Sequence, residues 1–107
     1  MIPTQTDEIL HAYHEGLKRV LGEALDAVIL YGSAARGEEH SESDIDVLCV
    51  LRQPFDYAQM IARTSALTAR LSLEYGVVVS RAFVTRDDYE MRQTPFLMNV
   101  RKEGVPV

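Results

Sequence analysis

The chain has 107 residues, 47% of them hydrophobic, and a formal net charge of −5 at pH 7. This length predicts a single domain, residues 1–107, with enough apolar residues to build a core. The acidic balance argues against a duplex-binding surface, which needs clustered Lys and Arg, and one cysteine excludes a disulfide within the chain.

No apolar run approaches the roughly 20 residues of a membrane span, and the polar N-terminus lacks the apolar segment of a signal peptide. We therefore expect a cytoplasmic protein that makes no membrane contact. The sequence leaves the oligomeric state open, homo-oligomers included.

Apolar spacing predicts an alternation of helices and strands. Helices are expected over Thr6–Gly22, Asp56–Tyr75 and Thr94–Glu103, and a short helix or turn over Arg86–Gln93. Strands are expected over Ala27–Tyr31, Ile45–Leu51 and Val77–Val84. This order predicts a small α/β fold, in which helices pack mainly on one face of a mixed β-sheet and the other face is open.

The most informative segment joins the first two predicted strands, where Gly32-Ser33 is followed ten residues later by Asp44-x-Asp46. Side chains two apart on a strand point the same way, so Asp44 and Asp46 should repel each other unless a cation lies between them. Hard oxygen ligands of this kind suit Mg²⁺.

The Gly-Ser segment has features of a phosphate site. Gly32 permits a close approach of the backbone to a ligand. The residues from Ser33 to Arg36 are typical of the first turn of a short helix, whose free N–H groups bind anions. The segment therefore predicts Mg²⁺-assisted chemistry on a nucleoside triphosphate. Arg36 could contact a phosphate or hold Asp44 in a bidentate pair, and the sequence leaves both open.

A family resemblance rests on the same residues, Gly32-Ser33, Arg36-Gly37 and Ser43-Asp44-Ile45-Asp46. They resemble the signature of the DNA polymerase β-type nucleotidyltransferase superfamily, and the short chain is most similar to its minimal nucleotidyltransferases. The resemblance implies one nucleotidyltransferase domain over residues 1–107, with Asp44 and Asp46 as catalytic and Mg²⁺-binding residues. It also implies that Gly32, Ser33 and Arg36 contact ATP or another nucleoside triphosphate.

The family usually has a third carboxylate on a later strand, where it can take the proton from the attacking hydroxyl. The corresponding strand here, Val77–Val84, contains no acid. Ser80 is the best match to the missing position, and Arg81 beside it would oppose a metal if it pointed into the site. Acids outside that strand could replace the third carboxylate, although solvent exposure is the first interpretation of each. They are Asp87, Asp88 and Glu90 after the strand, and Glu38, Glu39 and Glu42 in a polar loop over Gly37–Ser43. His40 of the same loop could contact the substrate.

Two functions remain open at this stage. The resemblance implies an antitoxin that transfers AMP from ATP to a tyrosine of a helical HEPN-type toxin. The alternative is a catalytically weak or inactive module that neutralises or scaffolds its partner by contact alone, which the absent third acid favours.

Overall fold

A mixed β-sheet organises the part of the chain that the computed structural model describes, residues 5–36 and 44–107. Within those ranges its strands are β1 (Leu25–Tyr31), β2 (Ile45–Leu51), β3 (Val79–Thr85) and β4 (Val105–Pro106). Their spatial order is β3-β2-β1-β4. Strand β1 is antiparallel to both β2 and β4, whereas β2 and β3 are parallel. The predicted mixed sheet is confirmed.

The helices begin and end where local chemistry predicts. They are α1 (Gln5–Leu21), α2 (Tyr57–Tyr75), α3 (Arg86–Met91) and α4 (Pro95–Glu103). The side chain of Asp56 accepts a hydrogen bond from the N–H of Gln59 at 3.1 Å, and that of Thr94 accepts one from Leu97 at 3.2 Å. Each is an N-cap bond that satisfies a donor left over at a helix start. Gly76 ends α2 at φ 66°, a conformation that glycine adopts at little cost.

The two faces of the sheet pack against different helices because side chains alternate along a strand. One face, with Val47 and Cys49 at its centre, packs against α1 and α2. The other face carries Ile29, Leu48 and Val50. It packs against Leu97 and Val100 of α4.

Three features differ from the predictions. The second face is not fully open, because Leu97 and Val100 bury part of it beneath α4. Strand β4 was not predicted, since two residues are too few to set a periodicity. The predicted short helix after Gly32 is a single hydrogen-bonded turn as far as Arg36, where the described range ends, and the acidic loop Gly37–Ser43 lies outside the described residues. None of the helices in the described ranges is long and apolar enough for a transmembrane span.

Candidate functional site

The register between β1 and β2 brings the two halves of the sequence motif together. Tyr31, the last residue of β1, pairs directly with Asp46 of β2. Gly32 follows Tyr31, so the Gly-Ser turn begins beside the Asp46 carboxylate. Asp46 is half-buried, and Asp44, one residue before β2, is exposed. The site therefore lies at one end of the strands, on the face that carries α4.

Position 32 strongly favours glycine, for two independent reasons. Its φ is +78°, a conformation that side-chain-bearing residues rarely adopt. A Cβ built there would lie 2.6 Å from Oδ2 of Asp46, closer than nonbonded atoms tolerate. The absence of a side chain lets the backbone of the turn reach the carboxylate.

The Asp46 carboxylate lies in an environment that disfavours its negative charge. Partial burial raises the pKa of Asp46, and the charge of Asp44 raises it further. The two carboxylates are therefore close enough to repel each other, as the spacing predicts. Asp46 also acts on its cross-strand neighbour, because burial and then the charge of Asp46 raise the pKa of Tyr31. A cation between the two carboxylates would remove this repulsion.

The turn after Gly32 has the hydrogen-bonding pattern of a helix start. The backbone oxygen of Gly32 accepts hydrogen bonds from the N–H groups of Ala35 and Arg36, at 3.1 and 3.3 Å. The N–H groups of Ser33 and Ala34 make no backbone hydrogen bond within this turn. They lie at the end of the turn where helix starts bind anions.

Arg36 lies close to the C-terminal end of α4. Its Nη1 is 3.4 Å from Oε2 of Glu103, and both side chains are partly exposed. Neither sequence-based interpretation of Arg36 included this ion pair, because the two residues are 67 positions apart. The structure describes no bidentate pair between Arg36 and Asp44.

The pairing of β2 with β3 shows which residue occupies the position expected for a third carboxylate. Ser80 pairs with Asp46, so it occupies the strand position beside the aspartates, on the same face. Arg81 points to the opposite face, where its Nε donates to Oγ1 of Thr64 at 2.7 Å and its Nη2 donates to the backbone oxygen of Ile61 at 2.9 Å. Arg81 is therefore anchored on α2 and does not oppose a cation at the aspartates.

The suggestion that Asp87 or Asp88 reaches back to the site is wrong. Both residues begin α3 directly after Thr85, which pairs with Leu51. Leu51 lies five positions along β2 from Asp46, roughly 17 Å at about 3.3 Å per residue. Asp88 interacts with its sequence neighbours, since its N–H donates to Oγ1 of Thr85 and its Oδ2 lies 3.9 Å from Nη1 of Arg92.

In the described ranges no group of three or more His, Cys, Asp or Glu side chains could hold a metal ion.

Sequence reasoning missed the contribution of α4 to this end of the sheet. Phe96 packs edge-to-face against Tyr31, with ring centroids 5.3 Å apart at 87°. Phe96, Asn99 and Glu103 line one cleft together with Tyr31 and Gly32. Their i, i+3, i+7 spacing indicates a shared helix face, but the sequence alone does not indicate where that face lies.

Comparisons with known proteins identify the family of this chain. A family model described as a nucleotidyltransferase domain matches residues 14–99. A protein of Methanocaldococcus jannaschii named "Putative protein adenylyltransferase MJ0141" is 31% identical over 102 residues, which cover 94% of this chain and 96% of that protein.

Two solved structures share the fold. A crystal structure of a toxin-antitoxin with AMP-PNP superposes with a TM-score of 0.61 at 20% identity, covering 88% of this chain and 68% of that one. The structure of a "putative minimal nucleotidyltransferase" has a TM-score of 0.58 at 24% identity and covers 94% of both chains.

The chain therefore belongs to the nucleotidyltransferase domain family, and the resemblance drawn from the motif is confirmed. Membership of this family supports nucleotidyl transfer as the class of chemistry.

The substitution Asp46→Asn tests the electrostatic description of the aspartate pair. We expect it to raise the free energy of unfolding of the metal-free protein at pH 7 by less than about 1 kcal/mol, because the site is partly solvated. The raised folded-state pKa means that the folded state loses stability as pH rises above the ordinary value of 3.8. The gain should therefore shrink as pH falls towards that value.

Thermal unfolding with and without saturating Mg²⁺ is the measurement. Mg²⁺ should raise the Tm of the wild-type protein and leave that of Asp46→Asn unchanged. Glu74→Gln removes an exposed carboxylate from α2 and should retain the wild-type response. An equal Mg²⁺-dependent shift in Asp46→Asn would contradict a cation site at this pair.

Proposed function

We propose that this protein transfers the AMP group of ATP to a hydroxyl group of a protein partner, with Asp44 and Asp46 as its metal-binding and catalytic residues. The observation that carries this proposal is the close approach of Asp46 to Gly32, where an added Cβ would lie 2.6 Å from Oδ2 of the carboxylate. The carboxylate pair therefore lies beside the Gly-Ser turn, and this proximity supports a shared site for a metal ion and a triphosphate.

The carboxylate pair has the chemistry of a Mg²⁺ site. Mg²⁺ binds through one or two carboxylates and completes its shell with water and substrate phosphates. Asp44 and Asp46 offer two such carboxylates. Burial and the charge of Asp44 raise the pKa of Asp46, and a bound cation would offset both effects. When bound, the ion would neutralise charge on the phosphates and polarise the reacting phosphorus centre.

The turn would bind the triphosphate. The N–H groups at its start and the hydroxyl of Ser33 can donate to phosphate oxygens, and Gly32 gives the phosphate chain room beside Asp46. Arg36 lies at the end of this turn and pairs with Glu103. We propose that its guanidinium contacts a phosphate of the nucleotide, a contact suited to its fixed fork of donors.

The reaction would be an in-line displacement. The acceptor oxygen forms a bond to the α-phosphorus, and the bond from that phosphorus to the bridging oxygen breaks. Pyrophosphate leaves with the electron pair, and the acceptor hydroxyl gives up its proton. Ser80 beside Asp46 cannot act as a carboxylate base, so this proton leaves slowly or to a base that the partner supplies.

A protein acceptor agrees with the comparisons. The M. jannaschii relative is named as a protein adenylyltransferase, and one structural neighbour is a toxin-antitoxin with AMP-PNP. We propose that the partner is a helical HEPN-type toxin, that its acceptor is a tyrosine, and that residues 1–107 act as one domain. This identity rests on the family resemblance of the motif.

A second candidate function follows from Ser80. If no base replaces the missing carboxylate, the protein binds nucleotide and partner without transferring the nucleotide. It would then neutralise or scaffold the partner by contact alone.

Incubation with Mg²⁺ and α-labelled ATP, with and without the protein encoded beside it, tests the first function. Label should appear on the partner. Asp44→Asn and Asp46→Asn should each lower transfer by at least about a hundredfold, since a catalytic metal supplies several kcal/mol of stabilisation. Asp87→Asn, at the far end of the sheet, should transfer normally. Unchanged transfer in both site variants would contradict the proposal, and a tight complex without label would support the binding module.

The substitution Ser80→Asp tests whether the third position limits turnover. Ser80 is half-buried, and its neighbour on the same strand face is the small Ala82, so a carboxylate has room beside Asp46. We expect faster transfer, up to the roughly 10²-fold or more that a positioned base contributes, and tighter Mg²⁺ binding. Ser80→Asn provides the same shape without charge and should give neither effect. A Ser80→Asp protein no faster than wild type would show that another group already accepts the proton.

A further inference from the structure

A cleft of about 200 Å³ opens between α4 and the beginning of the Gly-Ser turn. Tyr31, Gly32 and Arg36 line one side, and Phe96, Asn99 and Glu103 of α4 line the other. Gly32 lines this cleft and also lies close to Asp46. The cleft is therefore continuous with the candidate phosphate and metal site.

We propose that this cleft binds the base of the nucleoside triphosphate, and that Asn99 selects adenine over guanine. The inference rests on the proposed function, because it requires a nucleotide whose phosphates lie at the turn. Binding sites for whole small molecules usually measure about 300–1,000 Å³. The smaller cleft suits one planar ring system, with the ribose and phosphates outside it.

The aromatic side chains of the cleft supply an apolar surface for such a ring. Tyr31 and Phe96 contact each other at nearly a right angle, yet Phe96 remains 44% exposed. An aromatic side chain with uncovered surface in a cleft is suited to stacking with a base, whose π-face it matches. Stacking alone accepts any base, so it gives affinity without selectivity.

Asn99 supplies the selective element. Its amide carries one acceptor oxygen and two N–H donors, and no hydrogen bond joins this side chain to another residue in the described ranges. One edge of adenine presents an amino donor beside a ring-nitrogen acceptor, and asparagine pairs with both at once. The corresponding edge of guanine presents two acceptors, which the same amide cannot satisfy together.

Titration calorimetry in Mg²⁺ with ATP, GTP and inorganic tripolyphosphate tests the assignment. The wild-type protein should bind ATP about five- to tenfold more tightly than GTP, the lower part of the range for a bidentate contact, because Asn99 is exposed. Asn99→Leu keeps the side-chain shape. It should lower ATP affinity by a similar factor, bring the two nucleotides to equal affinity and leave tripolyphosphate unaffected.

Three further variants separate the parts of the site. Phe96→Ala should weaken ATP and GTP equally and spare tripolyphosphate. Ser33→Ala should weaken all three ligands about fivefold, the effect of one lost hydrogen bond. Gln93→Met, which removes an exposed amide just before α4, should bind all three like the wild type.

The possible failures are distinguishable. The base does not occupy the cleft if the wild type binds ATP no better than tripolyphosphate, or if Asn99→Leu keeps the wild-type preference for ATP. Either result leaves the proposed phosphate site unaffected. If Asn99→Leu binds ATP normally but transfers less label to the partner, the cleft holds the acceptor instead, and the assignment is overturned. If the wild type binds none of the three ligands, both the base site and the proposed function are contradicted.

Discussion

The close approach of Gly32 to the carboxylate of Asp46 is the constraint on which the rest of the candidate site depends. It follows from the register of β1 and β2, which pairs Tyr31 with Asp46. A shift by one residue would turn the aspartate to the other face of the sheet, among the apolar side chains beneath α1 and α2. Burial of residues such as Val47 and Cys49 on that face fixes the register, so the hydrophobic core also positions the carboxylate of Asp46.

The same alternation explains how β3 takes part. Ser80 lies beside Asp46, and Arg81 lies on the opposite face, where it binds Thr64 and Ile61 of α2. The guanidinium therefore stabilises the packing of α2 on the sheet and lies on the face opposite the aspartate pair. The candidate site keeps both carboxylates and the Gly-Ser turn, and it has a serine in place of an acid at position 80. What it lacks on this strand is a group to accept a proton.

Much of the fold could be predicted because its determinants are local. The apolar stripe of α2, its Asp56 cap and Gly76 at its end are neighbours in sequence, and they define the helix that the structure contains. The aspartate pair and the Gly-Ser turn could likewise be recognised from spacing alone. The position of α4 could not, because Leu97 and Val100 indicate an apolar face but not which surface of the sheet it covers.

Contacts between distant parts of the chain account for the rest. The ion pair of Arg36 with Glu103 and the ring contact of Tyr31 with Phe96 each join segments more than 60 residues apart, and neither leaves a pattern in one sequence. Asp87 and Asp88 looked available as the third acid because they closely follow β3 in sequence. The length of the strand places them at its other end.

The most direct test of the account is a crystal structure with Mn²⁺ and a non-hydrolysable ATP analogue, since Mn²⁺ takes the oxygen ligands of Mg²⁺ and its anomalous signal locates it. We expect an ion coordinated by both Asp44 and Asp46, with the triphosphate on the turn that begins at Gly32. A nucleotide bound elsewhere, with neither aspartate coordinating the ion, would contradict it.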